Sequence, residues 1–119
     1  MQVRVHQIRL KEDIILDEVT TFEEQIIPEV LGALQAQVDR RSVPIVTGAF
    51  LIPQGVVSRT GQPVDPYLLV VRPRPGVGTG EFGGIEEGIE QRALVALGRF
   101  AAVTSSLTYR EVTFQEPPA

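Results

Sequence analysis

The sequence contains no cysteine, a single histidine, His6, and a single lysine, Lys11. Without cysteine the chain forms no disulfide, offers no thiolate nucleophile and cannot bind zinc through sulfur. One histidine leaves no second imidazole for a histidine-based metal site and does not suggest the usual catalytic triad. The sequence therefore predicts a protein that is not an enzyme and that uses no metal or other cofactor.

The sequence also lacks an excess of basic residues and any long apolar run. Its net charge is −4, with acidic residues concentrated at 12–29 and 81–90. Such a surface does not attract phosphate backbones, so we predict no sequence-specific binding of nucleic acid. No apolar run approaches the roughly 18 residues of a membrane span, and the N-terminus has no apolar signal core. We therefore predict a soluble, intracellular protein that does not bind membranes.

The chain contains enough apolar residues for one compact domain, predicted over residues 1–119. Its 119 residues are 43% hydrophobic and 22% charged, as in ordinary globular proteins. Apolar periodicity predicts strands near 3–10 and 107–116, helices over 20–41 and 85–103, and hairpin arms within 43–57 and 67–71. The predicted fold class is α+β, with two helices packed on a small, mostly antiparallel sheet that includes a long β-hairpin.

The start of the first predicted helix leaves two points open. Thr20 with Glu23, or Thr21 with Glu24, forms a capping box. Pro28 lies inside the apolar pattern, so the helix is either kinked there or becomes regular only at 27, with proline in its first turn. The preceding segment, residues 11–19, fits either a short strand or a loop.

Three segments rich in turn-forming residues lie between or after these elements. Residues 58–66, "SRTGQPVDP", are predicted to form a projecting hairpin tip. Prolines along the hairpin place its strands at a sheet edge or at bulges, because proline lacks the donor that a central strand needs. Residues 73–84 are predicted to be a glycine- and proline-rich connector, and residues 116–119 a flexible tail.

The connector contains the pattern G-x-G-x-x-G over residues 78–83, from Gly78 to Gly83. This spacing is typical of a dinucleotide-binding turn. However, residues 72–75 separate the preceding strand from the first glycine, and three nearby glutamates would repel a phosphate. We interpret the segment as a linker, and a nucleotide- or ligand-binding loop is the alternative.

Other candidate residues also have simpler interpretations. The glutamates of 86–90 fit a solvated helix start better than a catalytic pair. His6 lies on the side of the first strand opposite Val3 and Val5, and is predicted to be a surface or interface histidine. Arg72 and Arg74 either reach one anionic surface or form solubilising caps on an edge strand, with the second interpretation favoured.

One segment resembles a known family. "LQAQVDRRSVPIVTGAF", residues 34–50, is a helix end followed by a short turn into a strand. It resembles the P-V-D-T-G-x-L signature of tail-completion and neck proteins of long-tailed bacteriophages, with Val46 where that family usually has aspartate. The matched residues are Pro44, Ile45, Val46, Thr47, Gly48 and Phe50.

The resemblance implies a virion structural protein, a neck or tail ring subunit of the tail-completion or tail-terminator type that joins or ends the tail tube. It implies a homo-oligomeric ring, tail-tube or neck partners, and a location in the virion and, during assembly, in the host cytoplasm. Two alternatives remain, a small cytoplasmic protein that binds a ligand or nucleotide through the 78–83 loop, and an ordinary dimeric α+β protein. The predicted assembly contacts are Arg59, Thr60, Gly61, Gln62, Pro63, Val64, Arg72 and Arg74.

Overall fold

The structure, a computed structural model, describes residues 2–38, 40–55, 64–74 and 95–112. Four antiparallel strands form one sheet in the order β2-β3-β1-β4. The strands are β1 (Gln2–Leu10), β2 (Val46–Leu51), β3 (Tyr67–Pro73) and β4 (Ala101–Arg110). Between β1 and β2 the chain forms α1 (Leu16–Thr21), a π-helical turn (Phe22–Ile26) and α2 (Ile27–Gln35). The predicted α+β class, with helices packed on an antiparallel sheet, is confirmed.

Helices cover one face of the sheet, called here the helix-covered face. Strand pairing places the side chains of Val46, Gly48, Phe50, Tyr67, Leu69, Val71, Arg4, His6, Ile8, Val103, Ser106 and Thr108 on it. The hydrophobic core lies between this face and helix residues such as Phe22, Val30 and Leu34. α2 passes so close to β2 that a Cβ at Gly48 would lie 2.5 Å from Leu34 Cδ1.

The opposite side of the sheet is called the open face. Its side chains are Thr47, Ala49, Leu51, Leu68, Val70, Arg72, Val3, Val5, Gln7, Ser105, Leu107 and Tyr109. None of these residues belongs to the main hydrophobic core, although Val3 and Val70 are buried. The sheet thus separates two apolar layers.

The apolar residues of β1 change faces along the strand. Val3 and Val5 follow one alternation and Ile8 and Leu10 follow the other, yet β1 pairs with β3 without interruption from Arg4 to Ile8. Val3 and Val5 therefore point to the open face, whereas Ile8 points to the helix-covered face. The register shift occurs in the pairing with β4, where Thr104 is an additional residue.

The first helix begins earlier than predicted, at Leu16, after a loop over 11–15. The N–H of Ile15 donates to the Glu18 carboxylate at 3.4 Å, and acidic residues in the first turn favour a helix N-terminus. The hydroxyls of Thr20 and Thr21 donate to carbonyls four residues earlier, inside the helix. The predicted capping boxes at these two threonines are therefore wrong.

Pro28 lies in the first turn of a regular helix, which is one of the two predicted alternatives. α2 begins at Ile27 with Pro28 in its first turn, and the π-helical turn precedes it. A wider turn accommodates a residue that has no N–H to donate. The helix ends at Gln35 rather than 41, because the chain turns and Gln37 accepts a hydrogen bond from the N–H of Ile45.

The predicted hairpin is confirmed in its arms. β2 and β3 pair from Val46 opposite Pro73 to Leu51 opposite Leu68. β2 lies at the sheet edge, as its neighbouring prolines indicated, whereas β3 is an internal strand. Most of the predicted tip and connector, and all of the tail over 116–119, lie outside the described residues.

The second predicted helix ends sooner than the sequence suggested. Residues 95–97 are helical, Phe100 N–H donates to the Leu97 carbonyl in a turn, and β4 starts at Ala101. Residues 85–94 of this prediction lie outside the described residues. The predicted helix over 101–103 and the predicted strand start at 107 are wrong, because Gly98 disfavours helix and the following β-branched residues favour strand.

Candidate functional site

His6 is buried on the helix-covered face, with 2% of its surface exposed. Its Nδ1 lies 2.7 Å from Ser106 Oγ, on the paired residue of β4. The prediction of a surface or interface histidine is therefore wrong. The sequence pattern treated the side of Val3 and Val5 as the buried one, but the helices cover the other side.

A second buried polar contact joins the sheet to the helical layer. The Tyr67 hydroxyl donates to Glu23 Oε1 at 2.6 Å, and the Tyr67 ring meets Phe22 edge-to-face with centroids 5.1 Å apart. Glu23 and Phe22 are adjacent in the π-helical turn. Burial, and then the hydrogen bond and negative charge of Glu23, raise the pKa of Tyr67 above its ordinary value of 10.0. The phenol therefore keeps its proton to a higher pH than a solvated tyrosine does.

These two contacts lie near each other on the helix-covered face, with His6 and Tyr67 buried and Ser106 and Glu23 half-buried. Tyr67 pairs with Ile8, so it is the diagonal neighbour of His6 across the strands, a separation of about 7 Å between Cα atoms. Three adjacent strands and the π-helical turn thus place these four polar side chains on the helix-covered face.

Sequence reasoning did not find these contacts. Ser106 and Tyr67 lie 39 residues apart in the sequence. Glu23 was predicted to form part of a helix cap. Only strand pairing brings them to His6. The available signal was His6, a polar residue in a strand rich in Val and Ile. The sequence pattern assigned it to the solvent-exposed face, which is wrong.

The predicted assembly contacts stay a prediction, and three of them, Val64, Arg72 and Arg74, lie in the described part of the chain. Residues 59–63 lie outside it, and Val64 is half-exposed, with its carbonyl accepting a hydrogen bond from Arg9 Nη1. Arg72 lies on the open face and forms an ion pair with Glu111, with Nε and Oε2 3.3 Å apart. Arg74 instead donates to the Pro44 carbonyl at 3.0 Å.

These contacts correct one interpretation of the two arginines. Arg72 cannot be a cap on an edge strand, because β3 is internal. Both guanidinium groups contact partners within their own chain. Arg72 contacts Glu111, whereas Arg74 contacts the Pro44 carbonyl.

The open face is a second candidate site, and it was also missed. Ala49, Val70, Val5 and Leu107 pair in register across all four strands and form one continuous apolar row. Leu107 is 48% exposed, and Tyr109 and Leu51 in the flanking rows are exposed to a similar degree. Polar groups lie around this centre, namely Thr47, Gln7, Ser105 and the Arg72–Glu111 ion pair.

The remaining candidates are the glycine motif, the glutamates that follow it, a metal site and a membrane span. The 78–83 glycine motif and the glutamates of 86–90 lie outside them. Within residues 2–38, 40–55, 64–74 and 95–112, no group of three or more His, Asp or Glu side chains is arranged to hold a metal ion. In the same ranges, no helix is both long and apolar enough to cross a membrane.

No protein-family model and no curated protein sequence matches the chain. Two solved structures have a similar fold. HapK from Hahella chejuensis is 17% identical, with a TM-score of 0.56 over the full length of both chains. A dimeric ferredoxin-like protein of unknown function from Thermobifida fusca is 18% identical, with a TM-score of 0.52 over 92% of this chain and 88% of that one. At these identities the likeness concerns the fold alone, which is ferredoxin-like.

Proposed function

We propose that this chain is the subunit of a homodimer, in which two copies pack the open faces of their sheets against each other. The observation that carries the proposal is the apolar row of Ala49, Val70, Val5 and Leu107. Val70 is already buried, whereas Ala49 and Leu107 are exposed and Val5 is half-buried, and removing water from such apolar side chains stabilises a complex.

The layout of the open face matches that of a protein interface. Its centre is apolar, and Arg72 lies in an outer row, where it forms an ion pair with Glu111. Strand spacing and length give the face a projected area of about 500 Å². This area is of the same order as the roughly 800 Å² that each partner contributes to a standard interface.

A second copy is the partner that this surface fits best. Two-fold symmetry brings the same patch of each subunit together, so an apolar centre always meets an apolar centre. Two sheets packed in this way lie about 10 Å apart. The similar protein from Thermobifida fusca is described as dimeric, which supports a dimer of this chain without indicating the interface.

Light scattering on the purified full-length protein tests the proposal. We expect a mass of twice the 13.0 kDa of one chain. Leu107→Lys places a charge on the exposed apolar residue at the β4 end of the row and should give a monomer. Leu16→Lys is the matched control, because Leu16 is exposed at the start of α1, and it should leave the dimer intact. A wild-type monomer at micromolar concentration, or a Leu107→Lys dimer, would refute the proposal.

The role suggested by the phage resemblance is a separate proposal about where such a subunit acts. A ring needs repeated head-to-tail contacts, whereas a face-to-face pair is closed. A measured mass of many chains would favour the ring and contradict the dimer. Neighbouring genes for head maturation and for a tail tube would support the neck or tail role, and flanking metabolic genes would argue against it.

A further inference from the structure

We propose that the outer part of β4, residues 105–110, is an arm that mild acid releases from the sheet. The uncharged form of His6 holds this arm closed. The observation that carries the proposal is the position of a buried histidine whose hydrogen-bond partner, Ser106, belongs to the arm. The contact lies within one chain, so the inference does not rest on the proposed dimer.

The arm is separated from the rest of β4 by the bulge at Thr104. Before the bulge, Ala101 belongs to the hydrophobic core and Val103 packs against it. No residue of the arm belongs to that described core, and residues 107–110 are all exposed. β4 also lies at the edge of the sheet, next to β1. Release of the arm therefore leaves the described core in place.

His6 is the buried polar side chain that the arm contacts. It is 2% exposed, and its Nδ1 lies 2.7 Å from Ser106 Oγ. On the same face its strand neighbours include Ile8 and Leu69, which are fully buried. An imidazolium in this layer would lose its hydration, so burial disfavours the charged form of the ring.

The ionisable groups around His6 have charges of both signs. Strand pairing and hydrogen bonding place four described ones on this face, namely Arg4 on β1, Tyr67 on β3, Arg110 on β4 and Glu23 in the helical layer. Arg4 lies two residues from His6 on one strand and opposes a second positive charge. Glu23 favours such a charge, but its carboxylate accepts the Tyr67 hydroxyl, and Arg110 is exposed. Burial and Arg4 together therefore keep the closed state uncharged at His6.

Release of the arm removes Ser106 and lets water reach the imidazole from the β4 side. In the released state the ring can bind a proton near the ordinary histidine pKa of about 6.5, which the closed state does not bind. A falling pH favours the state that binds more protons. The equilibrium constant for release should therefore rise about tenfold between pH 7.5 and 5.5. Because Leu107 and Tyr109 belong to the arm, acid also changes the open face.

Native-state hydrogen exchange of the full-length protein, followed by NMR at pH 7.5 and 5.5, tests the proposal. Protection factors remove the intrinsic pH dependence of amide exchange. At both pH values we expect the protected amides of residues 105–110 to be less protected than those of the β1–β3 ladder. Their protection should be about tenfold lower at pH 5.5 than at pH 7.5.

Two variants and a matched control identify the contact. His6→Gln retains a hydrogen-bonding side chain that does not ionise, so the pH dependence should disappear. Ser106→Ala removes the hydrogen bond and should lower the protection of the arm about fivefold at both pH values. Ser105→Ala should not change it, because Ser105 is the adjacent residue on the open face. Circular dichroism establishes that each variant is folded, and light scattering establishes its mass at each pH.

The protection of the wild-type arm decides the proposal even where a variant does not fold. Equal protection of the arm at the two pH values would overturn the proposal. Arm amides as strongly protected as those of the β1–β3 ladder would also overturn it, because release would then require global unfolding. An unchanged pH dependence in His6→Gln would assign the effect to another group. A monomeric wild-type protein with an acid-released arm would refute the dimer and support the arm.

Discussion

At the residue scale, the contact between Tyr67 and Glu23 links ionisation to folding. The phenol is buried and hydrogen-bonded to a carboxylate. In the unfolded chain the same phenol is solvated and ionises near pH 10. In the folded protein its pKa is higher, first because of burial and then because of Glu23. The native state therefore retains a proton that the unfolded state loses.

This difference predicts a loss of stability in alkaline solution. The contribution of Tyr67 is fully present below pH 10 and decreases as the pH rises above it, by up to about 1.4 kcal/mol per pH unit. Urea unfolding between pH 9 and 11.5 measures the slope. Tyr67→Phe removes the ionisable group and should flatten it. Tyr109→Phe, which changes a half-exposed phenol on the open face, is the control. Identical slopes in wild type and Tyr67→Phe would contradict the prediction.

At the scale of elements, the distance between α2 and β2 is set by the absence of a side chain at Gly48. A methyl group there would lie 2.5 Å from Leu34 Cδ1, and Leu34 is almost completely buried. Gly32, within α2, has no neighbouring atom within 4 Å of such a methyl group. The two glycines therefore have opposite structural roles.

We expect the same substitution to have opposite effects at these positions. Gly48→Ala should lower the free energy of unfolding by about 1–3 kcal/mol, because Leu34 or α2 must move. Gly32→Ala should raise it by about 0.5–1 kcal/mol, because alanine favours the helix. Urea denaturation measures both, and each variant is the control for the other. A neutral Gly48→Ala variant would show that the packing of α2 adapts without cost.

At the scale of the whole molecule, both sides of the sheet carry apolar side chains. In the described part of the chain, helices cover one of these two sides. The helix-covered face contributes to the hydrophobic core, whereas the open face leaves Leu107, Tyr109 and Leu51 about half-exposed. Association of two copies through this face would complete the burial. In that case unfolding and dissociation are coupled by mass action.

Coupled unfolding makes thermal stability depend on protein concentration. We expect the Tm of the wild-type protein to rise with concentration over a hundredfold range, because dilution favours separated subunits. The Tm of Leu107→Lys should not change with concentration. Calorimetry at several concentrations gives both values. A concentration-independent Tm for the wild type would contradict a dimer whose stability depends on the open face.

Much of the fold follows from local sequence. Alternating apolar residues predicted β1 and the hairpin arms, and helical spacing predicted the helix around Phe22 and Leu34. In a helix or strand the buried positions recur at a fixed spacing along the chain, so the spacing of apolar residues indicates the type of element. Pro28 likewise determined where α2 becomes regular, because a proline cannot donate the hydrogen bond of a helix interior.

The face of each strand was decided only by the tertiary structure. β1 carries apolar residues on both sides, so its sequence does not indicate which side the helices cover, and His6 was assigned to the wrong one. The contacts of His6 with Ser106 and of Tyr67 with Glu23, and the apolar row from Ala49 to Leu107, each depend on the order and register of the strands. Pairings between residues distant in sequence leave no local periodicity, and therefore both candidate sites became visible only when the sheet was assembled.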